Sequence, residues 1–358
     1  MYKPKYQISN QILKNVAAIE AAKEVISRAP LVPAWEKKFR EDAVIRTVHH
    51  GTHLEGNVLS FRDVEKVVQA EATQASQVEV VGKQRDVQEV INYREVMDYL
   101  DKLKAEGKTE LGEEILKEIH RLTVYRILPA EEAGKYRQVK VVIRNTRTGE
   151  ITFRPAPPTE VPYLVKGFFE WLNSEEGKQV HPVLRSGIVH YELARIHPFT
   201  DGNGRTARAM ALLVLYLEGY EIKKFFSLEE YYDRNPQDYY EALKSVERLN
   251  GEMTEWLEYF TLGIAVELNR VKEQVEKLSL DLRLKGNLGG KQIALSERQI
   301  KLIEYMEKYE SLTMKEGREL LPMVSDDTIL RDLRDLVKKG LVKRKGKTKG
   351  VKYYLVSG

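Results

Sequence analysis

Most of the first 284 residues show an apolar residue at every third or fourth position, which places these side chains on one face of an α-helix. Ile12, Val16, Ile19 and Ile26 form such a face near the N-terminus. The same spacing predicts further helices over residues 33–49, 86–103, 111–123, 161–171, 183–196 and 205–217. The pattern therefore predicts a mainly α fold, a helical bundle.

One segment within these helices departs from the helical spacing, and a heptad stripe and a glycine-rich segment end this part of the chain. In residues 138–154 the β-branched runs VKVVIR and EITFR flank turn-forming residues, which predicts a β-hairpin. Residues 264–282 carry an apolar heptad stripe, which suits packing within the chain or a homodimer. Three glycines follow within residues 285–291 and predict a linker over 285–294.

The C-terminal segment, residues 295–358, predicts three short helices followed by two strands around a basic turn, an order typical of a small winged-helix (α+β) domain. Its net charge of +5 exceeds the +4 of the whole chain. Contact with DNA phosphates is favoured by a basic wing of Lys343, Arg344, Lys345, Lys347 and Lys349. It is opposed by acidic residues on the third helix, Asp326, Asp327, Asp332 and Asp335. DNA binding and protein contact both stay open.

Composition narrows the class of protein. Of the 358 residues, 42% are hydrophobic and 31% are charged, which fits a folded globular chain and excludes a disordered or collagen-like one. Cysteine is absent, so disulfides, thiolate zinc sites and cysteine nucleophiles are excluded. The N-terminal MYKPKYQISN lacks the apolar region of a signal peptide, and no apolar run approaches a membrane span. We therefore expect a cytoplasmic protein with no membrane segment.

The densest chemical signal is HPFTDGNGRTAR at residues 197–208, between two predicted helices. Residues 202–204, Gly-Asn-Gly, permit backbone angles that turn successive N–H groups inward, just before a helix N-terminus. This predicts an anion cradle. Arg205 and Arg208 lie three positions apart and can bind different oxygens of a polyphosphate. Asp201 precedes the cradle, where a carboxylate beside phosphates suits Mg²⁺.

His197 ends the helix before this cradle. Histidine accepts a proton near neutral pH without a large pKa shift, so His197 beside a phosphate could deprotonate an attacking hydroxyl. The simpler alternative is a turn between helices with a histidine nearby by chance. A turn needs neither the histidine nor two phased arginines, so we favour a nucleotide and metal site.

Residues 197–208 match the Fic (Fido) signature HPFxDGNGRxxR at every fixed position, and the chain resembles that family over most of residues 1–280. Members transfer a nucleotide monophosphate, usually AMP from ATP, to a hydroxyl of a target protein. The resemblance implies that His197 is the general base, that Phe199 anchors the loop and that Asp201 holds Mg²⁺. It also implies phosphate-binding roles for Gly202, Asn203, Gly204, Arg205 and, at the γ-phosphate, Arg208.

Two other segments extend the resemblance. The hairpin at 138–154 is similar to the family's flap, on which a target segment docks in extended form; the alternative is a hairpin that only closes the bundle. Tyr239 and Tyr240 are similar to the tyrosine pair that lines the family's adenine pocket. On an amphipathic helix these tyrosines would alternatively belong to the core.

Residues 51–57, GTHLEGN, resemble the family's inhibitory motif [S/T]xxxE[G/N]. The resemblance implies that Glu55 pairs with Arg208 and blocks the seat of the γ-phosphate. The sequence departs from the motif at Gly51, where a hydroxyl residue is expected, and Thr52 stands one place later. Three nearby histidines at 49, 50 and 53 suggest a metal site only weakly, because no acidic or cysteine partner has ligand spacing.

Together these features predict a protein adenylyltransferase that uses ATP and Mg²⁺ to modify a Ser, Thr or Tyr hydroxyl of a target protein. Its predicted parts are a helical region at 1–110 with the inhibitory helix, a Fic core at 111–284 with the flap at 138–154, the linker, and the winged helix. Removal of AMP from a modified protein in the same site is one alternative. Another is a DNA-binding regulator whose Fic core senses nucleotide. Automodification, a homodimer and DNA contact through 295–358 stay open.

Overall fold

The computed structural model describes residues 2–29, 31, 33–70, 83–107, 110–144, 151–220, 222–278, 295–322, 324–346 and 351–356. The predicted linker at 285–294, the last heptad position at 282 and both hairpin turns lie outside these ranges. The chain divides into two compact units, residues 1–27 with 39–273 and residues 28–38 with 274–358. The finer domain boundaries stay a prediction.

Helices account for most of the first 278 residues, as the apolar spacing predicts. They are α1 (Asn10–Arg28), α2 (Pro33–His53), α3 (Phe61–Gln69), α4 (Gln84–Ala105), α5 (Glu113–Thr123), α6 (Val161–Asn173), α7 (Glu175–Gln179), α8 (Pro182–Ile196), α9 (Asn203–Leu217), α10 (Leu228–Arg234), α11 (Pro236–Arg248) and α12 (Thr254–Leu278). None of the described helices has both the length and the apolar character needed to cross a membrane.

Helices α8 and α9 form the centre of the first unit. Almost every residue of both helices is buried, which explains why they are apolar on more than one face. A Cβ on Gly187 would lie 2.8 Å from Leu257 Cδ2, so the glycine permits α12 to pack closely on α8. Trp256 Nε1 donates to the Gly187 carbonyl at 2.8 Å. The first half of α8 is thereby packed closely against α12.

The predicted hairpin is present but short. Strands β1 (Ile143–Arg144) and β2 (Ile151–Phe153) pair antiparallel, with Ile143 opposite Phe153. Residues 139–142, which the β-branched run placed in the first strand, are not in a strand. One reason is local: the Val139 carbonyl accepts a hydrogen bond from the buried Arg137 side chain at 3.2 Å instead of from a strand partner.

The C-terminal part of the second unit contains three helices and a hairpin, in the predicted order. They are α13 (Glu297–Tyr309), α14 (Met314–Leu320), α15 (Asp326–Lys338), β3 (Val342–Lys345) and β4 (Lys352–Leu355). The strands pair antiparallel, and Leu312 adds an isolated bridge to Tyr353. The core of this part is apolar and includes Leu302, Ile303, Met306, Leu312, Ile329, Leu333, Leu336 and Tyr353. Its assignment as a winged helix stays a prediction.

Candidate functional site

The loop between α8 and α9 has a constrained backbone at both ends. His197 ends α8 with a φ of 51° and Gly202 precedes α9 with a φ of 73°, both in the left-handed region. For a non-glycine residue such as His197 this conformation costs about 1 kcal/mol or more. A Cβ on Gly202 would lie 2.8 Å from Val124 Cγ1, so steric packing also requires glycine there.

Buried side chains hold this loop from behind. The Asn203 side chain accepts from the Phe199 N–H at 2.8 Å and donates to the Phe199 carbonyl at 2.9 Å. The Phe199 ring is fully buried and stacks on His120, with ring centroids 3.7 Å apart. His120 Nδ1 accepts from Gly134 N–H, so its Nε2 carries the proton that is donated to the Asp201 carbonyl at 3.0 Å. The Asn203 side chain therefore fixes the loop, and only its backbone N–H remains for an anion.

His197 is oriented by its own helix and by Arg137. Arg137 is buried and donates through Nε to the His197 carbonyl at 2.8 Å. The His197 ring donates through Nδ1 to the Ala194 carbonyl at 3.2 Å, which leaves the lone pair on Nε2. Burial lowers the pKa of His197 to about 4, against smaller opposing effects of the Ala194 carbonyl and Glu55. At neutral pH the ring is therefore uncharged and able to accept a proton.

Arg205 and Arg208, on the first turns of α9, are both almost fully buried, with 2% of each side chain exposed. Arg205 Nη1 lies 3.5 Å from the buried carboxylate of Glu89. Arg208 donates through Nη2 to the Gly51 carbonyl at 2.9 Å, and its Nη1 lies 2.9 Å from Glu55 Oε1. A buried guanidinium needs such partners because an uncompensated charge is strongly destabilising there.

Glu55 lies over the N-terminus of α9, in the turn that follows α2. A Cβ on Gly204 would collide with Glu55 Oε1, so the carboxylate is in contact with the cradle itself. Backbone N–H groups and the helix dipole favour an anion at this position. The Glu55 carboxylate therefore lies where the cradle and Arg208 both attract negative charge.

Gly51 accounts for the departure from the inhibitory motif. A Cβ at this position would lie 2.5 Å from Tyr93 Cε1 and 3.2 Å from Glu229 Cγ, so a serine or threonine does not fit. The Tyr93 hydroxyl donates to Glu229 Oε1 at 3.0 Å, and both side chains are buried. The Thr52 hydroxyl bonds to the Val48 carbonyl within its own helix. Position 51 therefore contributes its backbone carbonyl, which accepts a hydrogen bond from Arg208, instead of a side-chain hydroxyl.

The C-terminal end of α2 is attached to α10 by histidine–carboxylate contacts. His50 Nδ1 lies 2.7 Å from Asp233 Oδ2, and His53 Nδ1 lies 2.8 Å from Asp233 Oδ1. Although burial opposes ionisation, the two histidines hold the pKa of Asp233 below its usual value. Among the described residues, no group of three or more metal-ligating side chains was found.

Asp201 is half-buried at the rim of the cradle, and both of its carboxylate oxygens have partners. Its Oδ1 accepts from the Gly202 N–H at 2.6 Å, and its Oδ2 accepts from Arg85 Nη2 at 2.8 Å. Burial opposes ionisation, but Arg205, the Gly202 N–H and Arg85 hold the pKa of Asp201 below its usual value. One ionised carboxylate beside an anion cradle fits Mg²⁺, which commonly takes one or two protein carboxylates and completes its shell with phosphates and water.

The two tyrosines predicted at the adenine pocket lie in different environments. Tyr239 is buried within a cluster of aromatic rings, and its hydroxyl lies 2.9 Å from His190 Nε2. Tyr240 is 40% exposed, and its hydroxyl donates to the Leu54 carbonyl at 3.4 Å. Of the pair, only Tyr240 has a substantially open ring beside the Glu55 turn.

Several residues of this site were given no role from sequence. Arg85 and Glu89 lie one helical turn apart at the start of α4, a spacing that places both on one face. Arg137 precedes the hairpin, but an isolated arginine gives no sign of burial. Tyr93 lies further along α4, His120 on α5 and Glu229 on α10; they carry no local motif, so only the fold brings them to the site.

The chain is similar in sequence to known proteins. The model of the Fic/DOC family matches residues 110–215. A Culex quinquefasciatus protein named protein adenylyltransferase Fic is 28% identical over 208 residues, which cover 58% of this chain and 39% of that protein. The Aedes aegypti protein of the same name is 29% identical over 185 residues, covering 51% and 34%. The chain therefore spans less than half the length of these curated relatives.

Solved structures share the fold. A Fic family protein from Desulfovibrio desulfuricans aligns with a TM-score of 0.66 at 22% identity and covers 100% of this chain and 99% of its own. Fic-1 from C. elegans, residues 134–508, aligns with a TM-score of 0.59 at 25% identity, covering 74% of this chain and 71% of its own. The mainly α fold predicted from the apolar spacing is thus confirmed as a Fic fold.

The environment of His197 predicts its titration. We expect the imidazole signal of His197, assigned with His197→Ala and followed by NMR, to have a midpoint near pH 4. Since Glu55 raises this pKa, Glu55→Gln should move the midpoint lower still. The unfolded chain binds the proton at higher pH, so this group should make the folded protein less stable as the pH falls from about 6.5 towards 4. A midpoint at or above 6.5 would contradict the buried, neutral ring.

Proposed function

We propose that this chain, whose residues 110–215 match the Fic/DOC family, is a protein adenylyltransferase that transfers AMP from ATP to a Ser, Thr or Tyr hydroxyl of a target protein and is held inactive by Glu55. The observation that carries the proposal is the contact of Glu55 with Arg208 over the anion cradle, 2.9 Å between Oε1 and Nη1. A carboxylate at that point competes directly with a phosphate for the same guanidinium.

The chemistry needs a base, and His197 supplies it in this proposal. Its Nε2 lone pair takes the proton of the target hydroxyl, the hydroxyl oxygen forms a bond to the α-phosphorus, and the bond from that phosphorus to pyrophosphate breaks. Burial keeps the His197 ring neutral before the reaction, so its lone pair is available, while the same low pKa makes it a weaker base than a free imidazole. Arg137, bonded to the His197 carbonyl at 2.8 Å, keeps the ring where it is needed.

The cradle binds and orients the triphosphate in this proposal. The backbone N–H groups of residues 202–204, the helix dipole of α9 and the charge of Arg205 all favour phosphate oxygens. Asp201 is the residue that would hold Mg²⁺, which would neutralise phosphate charge when bound. The ring of Tyr240 would stack on the base, while the buried Tyr239 would support it from behind.

Labelling with ATP that carries a radioactive α-phosphate tests this function. We expect Glu55→Gly to increase label on protein about 5- to 150-fold, the range of a coupling of about 1–3 kcal/mol, because Arg208 becomes free for the γ-phosphate. Adding His197→Ala to that variant should reduce the rate about 10²- to 10⁴-fold, since the base is lost. Glu131→Gly, in an exposed turn, is the matched control and should label like the parent. Equal labelling with and without His197 would contradict the proposed role of the base.

We also propose, as a second function, that the C-terminal part binds duplex DNA, because three of the four acidic residues of α15 are engaged by other side chains. Asp332 and Asp335 bond to α13 and Asp326 bonds to Arg318, while Asp327 is exposed one turn before Arg331. Asp332 is buried and accepts from Arg298 Nε at 2.7 Å, and Asp335 accepts from Gln299 Nε2 at 2.7 Å. Arg331, Arg334 and Lys338 are exposed and lie at helical spacing on one face. The hairpin adds Lys343, Lys345 and Lys352, which share one face of the strand pair.

A filter-binding titration with duplex DNA at several salt concentrations tests this second function. Replacing Arg331, Arg334 and Lys338 together by alanine should weaken binding and reduce the slope of log K against log salt by about one per residue. The matched control removes three exposed lysines of the first unit, Lys3, Lys166 and Lys178, and should leave the slope unchanged. Equal losses in both triple variants, or no binding by the parent at low salt, would rule out this face.

A further inference from the structure

Arg85 reaches the anion cradle from α4, although it lies outside the signature at 197–208. Its Nη2 donates to Asp201 Oδ2 at 2.8 Å and its Nε donates to Glu89 Oε1 at 3.3 Å. Glu89 is buried one helical turn further along α4. It therefore holds the Nε side of the Arg85 guanidinium, while Nη2 is bonded to Asp201. Arg85 is therefore hydrogen-bonded to the carboxylate that would bind the divalent cation in the proposed function.

The charges around Asp201 are already balanced in this arrangement. Arg205 lies 3.9 Å from Asp201 Oδ1 and 3.5 Å from Glu89 Oε1. Two carboxylates, Asp201 and Glu89, thus face two guanidinium groups, Arg85 and Arg205. A divalent cation entering this group would meet two positive charges, one of them hydrogen-bonded to Asp201 Oδ2.

Only one of these arginines can leave at low cost. The Arg85 side chain is 56% exposed, whereas that of Arg205 is 2% exposed. An exposed guanidinium exchanges its carboxylate for water with little loss of free energy, but a buried one does not. Arg85 is therefore the group that a cation would displace, and Arg205 the one that would stay with the phosphates.

We propose that Arg85 competes with the divalent cation for Asp201, so that the cation binds only after Arg85 leaves Oδ2. This inference rests on the proposed function, because it takes Asp201 as the cation ligand. It adds a second restraint to the contact of Glu55 with Arg208. Glu89 contacts both segments. It accepts from Arg85, and its Oε2 also accepts at 3.1 Å from Nδ2 of Asn57, which lies two residues after Glu55.

Calorimetric titration of the full chain with ADP, once in Mg²⁺ and once in EDTA, tests this competition. ADP has no γ-phosphate to compete with Glu55 for Arg208, and any effect of Glu55 on the cradle is common to both conditions. The ratio of the two Kd values therefore depends neither on that effect nor on catalysis. The measured quantity is the ratio of Kd in EDTA to Kd in Mg²⁺, which reports how strongly the cation supports nucleotide binding. Arg85→Gln should raise this ratio about two- to fivefold, the effect expected of a part-exposed ion pair.

The same ratio of Kd values, measured for three other variants, serves as the control. Arg85→Lys keeps a positive charge beside Asp201 and should give a ratio close to that of the parent. Lys102→Ala removes an exposed positive charge from the same helix, far from the cradle along α4, and should also leave the ratio unchanged. Asp201→Ala should reduce the ratio to about one, because the cation loses its protein ligand.

The outcomes separate the two proposals. A ratio for Arg85→Gln equal to that of the parent, together with a low ratio for Asp201→Ala, overturns the competition and leaves the cation site in place. An equal weakening of ADP binding by Arg85→Gln in Mg²⁺ and in EDTA also overturns it, because Arg85 would then be a phosphate ligand. An unchanged ratio in Asp201→Ala overturns both the competition and the assignment of the cation to Asp201.

Discussion

A buried guanidinium at the N-terminal end of α9 is the constraint on which the site depends. Arg208 is enclosed by the core, so it must keep an anionic or carbonyl partner in every state of the protein. Without nucleotide, Glu55 and the Gly51 carbonyl meet that need. We propose that a phosphate would meet it equally well, so that the inhibited and the nucleotide-bound forms become two solutions to one electrostatic requirement.

The rest of the site is held by contacts within the protein. Asn203, Phe199 and His120 fix the loop through buried contacts, and Arg137 fixes the carbonyl of His197. None of these contacts uses a group that the proposed reaction needs, apart from the backbone of His197. The loop is therefore preorganised, and the groups that would exchange partners are confined to the charged side chains at its rim.

The helices could be predicted from apolar spacing alone, whereas the contact of Glu55 with Arg208 was expected only from the resemblance to the Fic family. The sequence did not predict why Gly51 replaces the expected hydroxyl residue, since the reason is the ring of Tyr93, forty-two positions away. It placed Tyr239 and Tyr240 together, although burial separates their environments. It also extended the first strand of the hairpin over residues 139–142. The β-propensity of these residues gives no information about the buried Arg137, whose side chain donates a hydrogen bond to the Val139 carbonyl.

The central claim is that Glu55 and the γ-phosphate compete for Arg208. Crystal structures of the parent and of Glu55→Gly, each with Mg²⁺ and a non-hydrolysable ATP analogue, test it most directly. The account predicts that Arg208 binds the γ-phosphate in Glu55→Gly and keeps Glu55 in the parent, with the γ-phosphate displaced. Contact between Arg208 and the γ-phosphate in both structures, with Glu55 still on Arg208 in the parent, would contradict it.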